Sequence, residues 1–252
     1  MPSSAVYLGI DVACAVGKRL PICIVSRADS VMPLTIPKHL SAAIPRGIVN
    51  RGITLPSPFR EAAGGVVNAI RRILDEMDWR VERIAIDAPS APPLAAPRAS
   101  ESELGHIGLL SFRTPAASDW AGIREKCLCH LGSGRSAAAL PYANKTWMLF
   151  GFELFAQLRS SFCVEVIEVY PFAIVRALLP ACQHESTDQS YKDQLAAVAA
   201  RTPWASQNLE ARLKERVHGS RHDRLYASMA AWVASLGSEH QSAFGDPIWV
   251  PL

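Results

Sequence analysis

Apolar and polar residues follow a period of two in three widely separated stretches. These are Val6-Tyr7-Leu8-Gly9-Ile10-Asp11, Ile84-Ala85-Ile86-Asp87-Ala88-Pro89 and Val164-Glu165-Val166-Ile167-Glu168-Val169-Tyr170-Pro171. Runs of β-branched and aromatic residues with this period read as strands, and an acid at the end of each run falls at the edge of a sheet. A further strand is expected over Leu20–Val25, joined to residues 5–11 through a turn at Gly17-Lys18-Arg19 that favours an antiparallel hairpin. The Pro- and Gly-rich stretch from Pro33 to Pro58 offers only a weak strand, near Gly47 to Leu55.

Helical spacing takes over at Ser57-Pro58, where Ser serves as N-cap and Pro as the first helical residue. Phe59, Ala63, Val66, Ile70, Ile73 and Met77 then recur on one face. Gly64 and Gly65 each cost such a helix about 1 kcal/mol, which implies that the backbone packs closely on a neighbour there. A helix between two strands returns the chain in parallel through a right-handed crossover, so Asp11 and Asp87 are expected side by side at one sheet edge. Gly9 and Ala85 share a face with these acids and leave room beside them.

From Ser90 to Ala121 the chain is rich in Pro, Ala and Ser and reads as a long loop or lid-like insertion. Further helices are expected over Gly122–Leu131, Asn144–Arg159, Tyr191–Arg201, Leu209–Val217 and His222–Leu236, with a turn and an extended tail from Gly245 to Pro251. On the last helix Asp223, Ala227, Ala230 and Ala234 lie on one face. That alanine ridge lets the helix lie close on a sheet and carries Asp223 toward the strand-end acids. Its bland alternative is that Asp223 simply caps the helix.

Composition fits a folded α/β protein of 252 residues, taken as a single domain over 1–252 with a loop-rich insertion near 90–122. Hydrophobic residues at 49% and charged residues at 19% argue against a disordered chain. A net charge of +3 excludes a densely basic nucleic-acid coat protein. Basic residues gather only in Arg212, Lys214, Arg216, Arg221 and Arg224, a solvated helix face or a phosphate-facing strip. The six cysteines are scattered and read as reduced and mostly buried; Cys127, Cys129 and His130 lack the second pair a structural zinc site needs. With neither a signal segment nor a membrane span in the sequence, a cytoplasmic location and no membrane partner are expected.

Gathered at one edge, Asp11, Asp87, Glu168 and Asp223 offer the oxygen ligands that Mg²⁺ or Mn²⁺ prefers. Two such ions activate a water and stabilise the leaving oxygen in phosphodiester hydrolysis. Glu165 points to the opposite face of its strand, and Glu61 complements a helix dipole.

Taken in order, Gly9-Ile10-Asp11, Ile86-Asp87-Ala88-Pro89, Arg124-Glu125-Lys126-Cys127, Glu168-Val169-Tyr170-Pro171, Lys192, the helix at Asp223 and the tail from Gly245 to Pro251 resemble the RNase H-like superfamily. The closer resemblance is to its predicted-nuclease family known as domain of unknown function 429. The resemblance implies a five-stranded mixed sheet, three antiparallel strands then two parallel, flanked by helices with the acids at its centre. It also implies a metal-dependent nuclease acting on nucleic acid, with Asp11, Asp87, Glu168 and Asp223 as catalytic and metal-binding residues. Arg124 and Lys192 are the candidate phosphate contacts, as a bidentate and a point-charge donor. One departure stands out: the family's final helix carries Asp-x-x-Asp-Ala, and here Tyr226 occupies the second acid position before Ala227. Two alternatives remain: a non-catalytic nucleic-acid or nucleotide-binding protein, or an actin-like or sugar-kinase-type phosphotransferase. Against the latter, Gly132-Ser133-Gly134 reads as a turn rather than a phosphate loop. Substrate type, oligomeric state and pathway are not encoded in any of these residues.

Overall fold

The first alternating stretch forms strand β1 (Ser4–Asp11), whose Val6, Leu8 and Ile10 are fully buried. This computed structural model describes residues 4–12, 17–26, 33–47, 57–109, 113–136, 139–180, 187–204, 208–237, 241–244 and 248–251. Strand β2 (Ile22–Val25) pairs antiparallel with β1, and the Asp11 amide donates to the Pro21 carbonyl at 3.2 Å just beyond that ladder. Strands β3 (Trp79–Asp87) and β4 (Glu165–Val169) run parallel to β1. A hairpin of β5 (Gln241–Phe244) and β6 (Ile248–Pro251) completes the sheet, with β6 parallel to β4. The order is β2-β1-β3-β4-β6-β5.

This is a mixed α/β sheet of six strands, not the expected five. The tail read as a turn and an extended segment is an edge hairpin, although Gly245-Asp246-Pro247 lie outside the described residues. Of the weak strand expected near Gly47 to Leu55, only Gly47 is described; beside it Arg46 forms an isolated bridge with Arg19.

Helices α1 (Lys38–Ser41), α2 (Ser57–Glu76), α3 (Ala99–His106), α4 (Asp119–Gly132), α5 (Ala143–Ser161), α6 (Pro171–Leu178), α7 (Asp188–Arg201), α8 (Leu209–Arg216) and α9 (Arg221–Ser235) complete the described elements. None of them is long and apolar enough to cross a membrane. Helix α3 breaks the expected run of loop: it buries Ser100 and Glu101 as well as Leu104, so no apolar period betrays it. Helix α6 was equally hidden, though Pro171 at its first turn is a start signal.

Strand alternation divides the core into two halves. Val6, Leu8, Ile10, Ile84, Ile86 and Val166 face α2 and α5, while Ala85, Ile167 and Val169 face α6 and α9. The glycines of α2 meet close neighbours, as their cost implied: a Cβ on Gly64 would stand 3.1 Å from Gln157 Oε1 on α5, and one on Gly65 2.9 Å from Pro45 Cγ. On the other face α9 rests directly on β1. A Cβ at Gly9 would lie 2.1 Å from the Ala227 carbonyl oxygen and 2.1 Å from the Ala231 amide nitrogen. Ala227, Ala230 and Ala234 are buried, so the alanine ridge does what its spacing predicted.

Candidate metal and active site

Four strands run in parallel, and ligands of such sheets sit beyond the carboxyl ends of the strands. Asp11 and Asp87 close β1 and β3 there and are register partners, Cα opposite Cα. Paired residues of a parallel ladder point to the same face, here the face covered by α9. Asp223 arrives from the first turn of α9. It is positioned by Gly219, whose φ of +111° turns the chain against Pro21, the residue whose carbonyl receives the Asp11 amide.

The electrostatics of this corner are those of crowded acids. Burial, then the charges of Asp87 and Asp223, push the Asp11 carboxyl well above its usual range, with Lys18 opposing. Burial, then Glu168, push Asp87 up to about 8. A bound cation reverses both effects, because it favours the charged carboxylates that burial and repulsion disfavour. Asp223 also serves its helix: its Oδ2 accepts from the Ser220 amide at 2.8 Å, and Ser220 Oγ accepts from the Asp223 amide at 3.4 Å. The capping role expected as the bland alternative is therefore real, and it coexists with electrostatic reach to Asp11.

Glu168 departs from the expected quartet. It pairs in register with Ile86, not with Asp87, so alternation sends its side chain to the opposite face of the sheet. There Arg98 grips both oxygens, Nη1 to Oε2 at 2.8 Å and Nη2 to Oε1 at 2.6 Å, and the Ser90 amide donates to Oε2 at 2.9 Å. Arg98 also donates through Nε to Glu101 Oε1 at 3.1 Å, and that oxygen takes the Thr114 amide at 2.8 Å. Arg98, Glu101 and Glu168 are all buried. Burial draws the guanidinium downward, yet the hydrogen bonds and charges of Glu168 and Glu101 outweigh it and raise its pKa. The insertion from Ser90 onward is thus clamped to the sheet by a buried ionic triad rather than hanging as an open lid.

Among the described residues no three His, Cys, Asp or Glu side chains converge closely enough to enclose a metal ion. Asp11 and Asp87 nonetheless fit Mg²⁺ or Mn²⁺, since Mg²⁺ is commonly held by one or two carboxylates, with waters and substrate phosphates completing its shell. The chemistry of the donor set and a repulsion that Lys18 only partly offsets both point the same way. Glu168, with three hydrogen bonds already made, fits a ligand role poorly.

The other expected residues are dispersed. Arg124 is half-buried on α4 and engaged in contacts of its own. Lys192 is exposed on α7, where its charge acts on Asp188, the ion-pair partner of Arg221. Tyr226, in the position where the resembled family has an acid, is part of a ring cluster with His222, 6.2 Å between centroids. Of the cysteines expected to be mostly buried, Cys23 and Cys127 are buried and Cys129 and Cys163 are exposed, while Cys14 and Cys182 lie outside the described residues. Gly132-Ser133-Gly134 is the turn that ends α4. Sequence reasoning passed over Lys18, Arg98 and Glu101. An Arg and a Glu three apart ahead of a cryptic helix carried the only available signal, a capping-box spacing with an unusual first residue.

Fold and site together define a mixed α/β protein with two register-paired aspartates at the carboxyl edge of its parallel strands. No family model, curated protein or solved structure matches this chain.

Proposed function

We propose that this protein is a Mg²⁺- or Mn²⁺-dependent nuclease of RNase H-like architecture that hydrolyses nucleic-acid phosphodiester bonds. One observation carries the reading: Asp11, buried, and Asp87, half-buried, are brought together in register at the edge where parallel sheets bind ligands. A divalent ion bound there supplies Lewis-acid activation of the phosphate and of an attacking water. Asp11 and Asp87 bind and orient the ion, and Asp223 adds negative charge from the helix start. Glu168 and Arg98 act as a buried brace that fixes the β3–β4 edge and the chain after Ser90. This departs from an arrangement in which all four acids are ligands, because Glu168 lies on the far face of its strand.

The test is cleavage of DNA, RNA and hybrid duplexes by purified protein with Mn²⁺ or Mg²⁺. Cleavage abolished by EDTA, by Asp11→Asn and by Asp87→Asn is the expected result. Protein that binds neither ion and cuts none of these substrates overturns the reading. Salt-sensitive, metal-independent binding of nucleic acid without cleavage would favour a non-catalytic module instead.

A further inference from the structure

Away from the aspartate pair, a cleft of about 600 Å³ opens between the start of α4, the start of α5 and the chain around Thr114. Its size is that of a site for a small organic ligand. Three cationic side chains line it, Arg113, Lys126 and Lys145, and Asp119 is the acid of the lining. The Asp119 carboxylate accepts the Ala116 amide at 3.0 Å, so its charge is directed into the start of α4.

Two of the cations are tied to the walls of the cleft by hydrogen bonds. Lys145 Nζ donates to the Arg113 carbonyl at 2.6 Å, which ties the two residues together. Lys126 Nζ donates to the Tyr142 hydroxyl at 3.1 Å and lies 5.4 Å from the centre of that ring. Tyr142 in turn sits one turn before Lys145, its carbonyl accepting the Lys145 amide at 2.8 Å. Three positive groups lining one cleft raise the local concentration of anions there.

A second, independent observation comes from Thr114. It lines the cleft and is wholly buried, and its Oγ1 has no hydrogen-bond partner among the described residues. A buried hydroxyl without a partner is costly, and a ligand oxygen satisfies it. Ser118 and Gly122 also line the cleft, and its apolar wall is Ala96, Pro115, Ile123 and the ring of Tyr142. Tyr142 is an exposed aromatic whose backbone φ is +58°, a conformation unfavourable for a side chain of its size.

We infer that this cleft binds a nucleoside monophosphate, its phosphate among Arg113, Lys126, Lys145 and the Thr114 hydroxyl, and its base against Pro115, Ile123 and Tyr142. A doubly charged phosphate matches the net charge of the lining, three cations less Asp119, and a planar base matches the apolar wall and the exposed ring. The inference stands apart from the hydrolytic reading, since none of these residues belongs to the aspartate corner.

The experiment is calorimetric titration of full-length protein with AMP in EDTA and low salt, with adenosine and inorganic phosphate as comparison probes. One AMP site is expected, with adenosine and phosphate each weaker by about tenfold or more. Arg113→Ala and Lys126→Ala, both at exposed positions, are each expected to weaken AMP by about tenfold, with melting temperatures unchanged. Asp87→Asn is expected to leave AMP affinity within about twofold, which separates this site from the metal site. Absence of AMP binding, affinity unaltered in both cation variants, or inorganic phosphate binding as tightly as AMP each overturns the proposal. So does loss of AMP binding in Asp87→Asn.

Discussion

Arg98 holds Glu168 by both carboxylate oxygens, at 2.8 and 2.6 Å, in a site where each residue is almost fully buried. This pair ties the third acid-bearing strand to the chain after Ser90, and the charge of Glu168 also acts on Asp87. Removing one partner of a buried pair leaves an uncompensated charge, which costs more than the pair itself is worth.

Arg98→Ala is therefore expected to destabilise the protein by about 3–5 kcal/mol in urea denaturation, because Glu168 and Glu101 both lose their countercharge. Glu168→Gln is expected to lower stability as well, while Mn²⁺ affinity measured by calorimetry changes only slightly. A collapse of Mn²⁺ affinity in Glu168→Gln at retained stability would make Glu168 a ligand after all.

The aspartate pair predicts a pH dependence of defined sign. Burial and the charge of Glu168 push the folded Asp87 carboxyl up to about 8, so the folded state retains a proton that the unfolded chain releases. Its contribution to stability is fully present below the unfolded value and is lost as pH rises through about 8. In EDTA the melting temperature is expected to fall between pH 5 and 8, and Asp87→Asn is expected to flatten that fall and gain about 1–3 kcal/mol over wild type at pH 8. Divalent ion is expected to raise the wild-type melting temperature most at the alkaline end, as thermal scans across pH will show.

Gly9 admits no side chain. A Cβ there would stand 2.1 Å from backbone atoms of α9, and a helix backbone cannot yield as a flexible side chain can. Gly9→Ala is expected to cost about 3 kcal/mol or more, or to yield insoluble protein, with α9 displaced from β1. A soluble variant of wild-type stability in denaturant titration would contradict the packing described.

Asp223 has two duties that substitution can separate. Asp223→Ala removes the reciprocal cap at the start of α9 and is expected to lower stability by about 1 kcal/mol. Asp223→Asn retains a capping acceptor, so stability is expected to hold within about half that amount while Mn²⁺ affinity still falls. Equal Mn²⁺ affinity in wild type and Asp223→Asn would reduce the residue to its capping duty.

The pairing of Asp11 with Asp87 was legible because both signals are local: alternation fixes the strand, and the crossover rule fixes its parallel neighbour. The alanine ridge of α9 was legible for the same reason, since one period placed Asp223 and three alanines on one face. Glu168 was misplaced because its strand was read without a register. Moving a strand by one residue reverses every side chain, and only coordinates show Ile86 opposite Glu168. The Arg98 triad was invisible for a different reason. Its partners lie 3 and 70 positions from Arg98, Glu101 in a helix that buries polar residues and Glu168 on β4, so neither period nor composition reports them. The cationic cleft was missed narrowly: of Arg124-Glu125-Lys126-Cys127, the lining residue is Lys126, not Arg124.

The seat of α9 on Gly9 also bears on synthesis. Strand β1 leaves the ribosome well before α9, the helix that roofs it, so the nascent sheet waits uncovered for its lid of alanines. The same late helix delivers Asp223. Any hydrolytic power of the aspartate corner is consequently armed only once α9 has been made and has closed over β1.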